Sequence, residues 1–430
     1  MIKSTLQQGT LPQQDSPAAT DFRWNLIIYL YTMYIGVLLV GGFIGIYTGA
    51  YGAALFLLFL YGRYWQYLLR TKPEILTFCI ILCLFIPLIP IISYDQKTLT
   101  TTLQDLIKYL ALHMVILLGI SLPLTPLSRA KKTSILYFTI LAFLIIGCLW
   151  TIAQGHRSPR MQGFLPNPNG FALTAMMLLL LTNHETPRSF IRWTSHIVVI
   201  TLIFLSRTSG ALLGYLAGFL YLNIFVKKKN RLISIVLLIV SLSLIVALFA
   251  AMPKGTVQPV DATLGKLEIA NKNMDRVLSG KKIIFYDIIE RQGADNTSGL
   301  WRLYQWHRIL TLFVQSSADK ILFGNGVGTT DLVFKLKAHN DYLRILFETG
   351  LIGLILNLSV WFILYRRMAI QYRWLVIMIA VFCFTENNYD HFPAMSLLVF
   401  YMIGAGGQSS VEKTEAGTSV ISAEKDEAAS

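Results

Sequence analysis

His339 is followed by Asn340, nine further residues and then Gly350-Leu351-Ile352-Gly353, and it lies where a long polar stretch gives way to an apolar run. Imidazole gains and loses a proton near neutral pH, so a histidine at a water–bilayer boundary suits general-base work on an aqueous group. Arg207, in Ser206-Arg207-Thr208-Ser209-Gly210, interrupts two apolar runs. A charge there is costly unless partnered. A guanidinium offers a fork of donors matched to phosphate oxygens, and free backbone amides at a helix start favour an anion too. Arg302, within Trp301-Arg302-Leu303-Tyr304-Gln305-Trp306-His307-Arg308, is a second candidate anion clamp, while Arg157, Arg160 and Asn340 are further candidates for substrate contact. Each also has a structural reading: a snorkelling interfacial arginine, a solvated helix face, a histidine that satisfies a helix start.

On a helix of about 100° per residue, Leu346, Gly350 and Gly353 fall on the face below His339, so the two glycines form a candidate helix-packing motif. Arg344 and Glu348 are four apart and read as a local ion pair, whereas Glu386 and Asp390 either orient an imidazole or cap helices. His156 and His307 read as interfacial, and Asp105, Lys108 and His113 as a structural polar cluster. The sequence has no paired-carboxylate spacing, metal-ligand cluster, phosphate-binding glycine loop or nucleophile elbow, so neither a metal nor a cofactor is expected. Several arginines and one well-placed histidine remain, a set suited to holding a lipid diphosphate and activating an acceptor hydroxyl.

The elements that must position these residues are legible in the composition. Hydrophobic residues make up 54% and charged residues 14%, with a mean hydropathy of +0.57; a soluble domain would carry about 25% charge. Apolar runs recur about a dozen times near the roughly 20 residues that a helix needs to cross a bilayer, which excludes a β-barrel. The expected fold is an all-α integral membrane protein of about 12 transmembrane helices. The net charge of +14 reflects Lys and Arg concentrated in short loops, where they set topology, so no nucleic-acid partner is expected. Cys79, Cys83, Cys148 and Cys383 lie in apolar segments without the spacing of a disulfide framework or zinc site.

The expected organisation is a cytoplasmic segment over 1–23, spans one to nine within 24–252, a loop with surface-lying helices over 253–338, spans ten to twelve within 339–406, and a disordered cytoplasmic tail over 407–430. Residues 1–23 lack an apolar core, so the first apolar run is expected to be retained, and residues 25–61 form either one span or two. Basic residues at Arg63 to Lys72, Arg129-Ala130-Lys131-Lys132, Lys227-Lys228-Lys229 and Arg366-Arg367 are expected inside. The segments 95–102, 154–169, 206–209, 253–338 and 387–391 then share the outer side, and both termini lie inside. In the large loop, an amphipathic pattern from Leu300 to Phe313 predicts a surface-lying helix, and Gly324-Asn325-Gly326-Val327-Gly328 predicts a turn leading back toward His339. No repeat suggests a secondary transporter, and a flippase or transporter would place functional charge near the bilayer midplane instead of one face.

These residues resemble the O-antigen ligase family, within the wider superfamily of ligases and polymerases that use polyprenyl-diphosphate-linked glycans. His339-Asn340, nine residues, Gly350, two residues and Gly353 fit the family's histidine signature. Arg207 in an outer turn, Gly299-Leu300-Trp301-Arg302-Leu303 in the large loop and the Gly324 to Gly328 turn extend the likeness over most of 154–360. The resemblance implies an inverting, metal-independent glycosyltransferase of the bacterial inner membrane. It would move O-antigen from undecaprenyl diphosphate to lipid A-core oligosaccharide at the periplasmic face, as a step of lipopolysaccharide biosynthesis. His339 would be the general base, and Arg207 and Arg302 would bind the donor diphosphate. The runner-up is an O-antigen polymerase, whose paired Arg-x15-Gly loops find one match here, Arg308 to Gly324. A ligase for O-linked protein glycosylation is a further enzyme alternative.

Overall fold

The computed structural model describes residues 130–153, 161–226, 268–334 and 338–391, apart from short gaps inside these stretches, with isolated residues of 232–243 and Met395. The one or two spans expected over 25–61, those expected at 74–94 and 104–124, most of 232–252 and of the span expected at 392–406, both terminal segments, the cluster of Asp105, Lys108 and His113, and His156, Arg157 and Arg160 lie outside the described residues.

Ten α-helices are described: α1 Ala130–Ala153, α2 Pro168–Glu185, α3 Ser189–Ser206, α4 Ser209–Tyr221, α5 Met274–Leu278, α6 Ala294–Val314, α7 Ala318–Phe323, α8 Thr329–Phe334, α9 Asp341–Arg367 and α10 Arg373–Thr385. A π-helical turn, Leu222–Val226, extends α4, and 3-10 turns occupy Ile370–Tyr372 and Asn388–His391. No strand occurs among the described residues. Ser209–Val226 and Asp341–Arg366 are long and apolar enough to cross a membrane. Helix α1 leaves Phe138, Ile145, Ile146, Leu149 and Ile152 exposed, an apolar and uncovered stripe that suits a hydrocarbon surrounding.

Among the described helices, the tightest pair is α4 on α10. Gly210, Gly214 and Gly218 recur every four residues and form one stripe, on which α10 lies almost backbone to backbone. A Cβ at Gly214 would stand 2.6 Å from the Met378 carbonyl oxygen, one at Gly218 2.8 Å from that of Trp374, and one at Gly210 would meet Thr385. Small residues permit this approach, which trades side-chain bulk for extensive van der Waals contact. Helix α2 begins where the sequence signals it: Asn167 accepts from the Asn169 amide at 2.7 Å, and Pro168 takes the first helical position, where a missing N–H costs nothing.

The glycine stripe expected below His339 is not formed. His339 precedes α9 instead of lying on it, and α9 is broken at Gly350, whose φ of 69° and ψ of −172° suit glycine almost alone. A Cβ there would collide with the Leu322 carbonyl group and stand 2.6 Å from the Gly324 amide nitrogen. Gly350 therefore serves a close approach by the end of α7, not a straight helical seam. The break frees carbonyls of α9, and the Gly324 to Gly328 turn uses them: Asn325 N–H donates to Phe347 O and Gly326 N–H to Glu348 O, each at 2.9 Å. The apolar part of α9 starts beyond this break, while Arg344 and Glu348 before it form the expected ion pair at 3.3 Å, with the Thr330 hydroxyl on the same carboxylate.

Candidate functional site

One end of the assembly gathers the start of α2, the α3–α4 turn, α6, the approach to α9 and the segment after α10. The charge pattern had placed these same segments on a common side. Chain alternation explains the convergence, because consecutive antiparallel helices return every second connection to one end.

Glu386 is the hub. It follows α10 in extended backbone, φ −147° and ψ 164°, and its side chain is 1% exposed. Its Oε1 accepts from Arg302 Nη2 at 2.5 Å, its Oε2 accepts from Asn169 Nδ2 at 2.5 Å, and His339 Nδ1 stands 3.0 Å from the same Oε2. An ionised carboxylate only accepts, so the proton of the imidazole belongs on Nδ1, which leaves Nε2 as the acceptor nitrogen of the neutral ring. The side chains of His339 and Arg302 are 32% and 16% exposed, so both can be reached from outside the protein, whereas their shared carboxylate cannot.

Helix α6 fixes both partners. Arg302 projects from it, Trp301 sets its ring edge-on to His339 with centroids 5.2 Å apart, and Trp306 Nε1 donates to the Ala338 carbonyl at 2.9 Å. Asn340, expected as a possible substrate contact, is fully buried, and its side-chain oxygen caps α9 by accepting from Leu343 N–H at 3.0 Å. Asp341 holds the segment that carries Glu386: its Oδ2 accepts from the backbone amides of Asn388 at 2.7 Å and Tyr389 at 3.3 Å. Tyr389 is anchored in turn through its hydroxyl to Trp361 and Asn357.

Thr208, next to Arg207, ties the α3–α4 turn to the cluster. The Thr208 hydroxyl faces Asn169 Oδ1 at 3.3 Å, which orients the amide so that its Nδ2 meets Glu386. Arg207 has φ 52° and His339 has φ 48°, and among the described residues they are the non-glycine residues in the left-handed region. Such a conformation costs on the order of 1–3 kcal/mol and persists only where the surroundings over-determine it. Of the expected base and the two expected diphosphate clamps, His339 and Arg207 thus carry backbone strain.

Asn169, Asp341 and Thr208 were not singled out from the sequence. Asn169 had a signal, the Asn-Pro-Asn-Gly helix start, but nothing local to connect it with Glu386, 217 positions away. A helix covers the predicted Leu300 to Phe313 stretch as α6, and Arg308 on it lies over the rings of Tyr304 and Phe334, 5.7 and 5.2 Å from their centroids. The side chain of Asp390 is outside the described part. Among the described residues, no group of three or more His, Cys, Asp or Glu side chains is arranged to hold a metal ion.

A family model described as O-antigen ligase matches residues 194–358. The match supports the O-antigen ligase superfamily and takes in Arg207, Arg302, His339, Gly350 and Gly353, while Asn169 and Glu386 fall outside it. No curated protein matches the chain.

Proposed function

We propose that this chain, similar over 194–358 to the O-antigen ligase superfamily, is an O-antigen ligase. In this reading it is an inverting, metal-independent glycosyltransferase of the bacterial inner membrane, with both termini cytoplasmic and the Glu386-centred end facing the periplasm. The donor is O-antigen on undecaprenyl diphosphate, the acceptor is a sugar of lipid A-core oligosaccharide, and membrane lipids surround the helices. The observation that carries the reading is the shared carboxylate: a reachable imidazole and a reachable guanidinium are fixed side by side on one buried glutamate.

The acceptor hydroxyl gives its proton to His339 Nε2 as its oxygen attacks the anomeric carbon from the side opposite the diphosphate. The carbon–oxygen bond to the diphosphate breaks, and undecaprenyl diphosphate departs with the bonding pair, its charge met by Arg302 and Arg207. Glu386 stabilises the imidazolium that forms. Arg157, Arg160 and the turn around Asn167 are candidates to flank the sugars.

The polymerase alternative shares the donor. Arg308, the start of its one paired-arginine match, is seated on two aromatic rings, which favours a packing role for it and supports the ligase reading. Lipopolysaccharide from a deletion strain, resolved on a gel, separates the two. Core without glycan together with accumulated lipid-linked chains is expected of a ligase; core bearing a single repeat unit would make the chain a polymerase. Complementation with His339→Ala is expected to lose transfer about 10²–10⁴-fold with the protein still inserted; normal attachment would overturn the base assignment.

A further inference from the structure

The two oxygens of Glu386 are divided between the groups assigned to the donor and to the acceptor. We propose that Glu386 couples donor binding to the base: an arriving diphosphate draws Arg302 away from Oε1, and more of the carboxylate's charge then serves His339. The inference rests on the ligase reading and gives that site an order of events.

Without donor, the guanidinium of Arg302 neutralises much of the charge that would support an imidazolium. Arg302 Nη2 is committed to Glu386 at 2.5 Å while the side chain keeps 16% of its surface open. A diphosphate brings more negative charge and more acceptor oxygens than one carboxylate, and it can take the guanidinium fork from two sides. The carboxylate cannot follow. Its Oε2 is held by Asn169 Nδ2, whose amide is oriented by Thr208, and the chain beyond it is tied down by Asp341 on the amides of Asn388 and Tyr389. When Arg302 moves, Oε2 therefore stays 3.0 Å from His339 Nδ1, and the imidazole no longer shares the buried negative charge with the Arg302 guanidinium. In a low-dielectric setting that strengthens its stabilisation of the imidazolium as the proton arrives on Nε2. The base reaches full strength only with donor in place, which disfavours futile activation of water or of an acceptor alone.

Glu386 then competes with the donor for Arg302, and this yields a signature that a purely structural glutamate would not have. The full chain is reconstituted in lipid nanodiscs, and binding of undecaprenyl diphosphate is measured beside transfer from a lipid-linked glycan. Glu386→Gln is expected to bind undecaprenyl diphosphate roughly three- to tenfold more tightly while transfer falls tenfold or more. In an Arg302→Ala background the same substitution is expected to lose most of that gain in binding. Unchanged or weaker binding by a folded Glu386→Gln protein overturns the coupling. Should that variant not fold, Asn169→Ala decides: an untethered carboxylate follows Arg302, so donor binding is expected to weaken about two- to threefold, and unchanged or tighter binding overturns the proposal. Failure of the wild-type protein to bind undecaprenyl diphosphate at all would instead sink the ligase reading.

Discussion

Arg207 and His339 occupy a backbone region that side chains avoid, and the strain marks them as surely as their chemistry does. The positive φ of Arg207 turns the chain between α3 and α4, and Thr208 after it is fixed to Asn169. Glycine adopts that φ without penalty. Arg207→Gly is therefore expected to leave the thermal midpoint in nanodiscs unchanged or raised, by up to about 1 kcal/mol of stability, while donor binding weakens. A clear fall in the midpoint would mean that the arginine side chain, not its backbone, holds the turn. His339 was legible from the sequence because a lone imidazole at a boundary stands out. Glu386 was legible only as one of two options, orienting group or cap, since a carboxylate's role depends on what it faces.

At the scale of elements, glycines decide the packing in two different ways. In α4 they remove bulk: Gly214 lies under the Met378 carbonyl, and Gly214→Val is expected to push α10 away, costing about 1–3 kcal/mol and displacing Glu386 at the end of that helix. A lowered melting midpoint with reduced transfer checks this, and an unchanged midpoint would show that α10 yields freely. In α9, Gly350 supplies a conformation. Gly350→Ala is expected to cost at least about 1–3 kcal/mol, because it needs glycine's φ and ψ and its Cβ would strike the end of α7. Wild-type stability in that variant would refute the break. The sequence showed a Gly-x-x-Gly pair after His339 and suggested a helix seam. The close seam described above is in α4, and Gly350 marks a break, because spacing alone does not distinguish a small residue from a residue of unusual φ.

At the scale of the whole molecule, alternating antiparallel helices bring the segments near 161–169, 206–209, 294–341 and 386–391 to one end. The proposed topology places that end in the periplasm. Alkaline phosphatase fused within 253–338 is expected to be active and a fluorescent fusion at the C-terminus to light up inside the cell; the reverse pattern would invert the site and remove its access to a periplasmic acceptor. Helical class, membrane character and the shared side of the charged segments could be read from the sequence because hydropathy and basic loops are properties of short stretches that need no partner. The convergence of Arg302, His339 and Asn169 on Glu386 could not, since those contacts span 84, 47 and 217 positions and depend on the registry of packed helices. The close seam of α4 on α10 sets where Glu386 ends up, the break at Gly350 sets how the loop meets α9, and both are facts of backbone approach that only the tertiary structure decides.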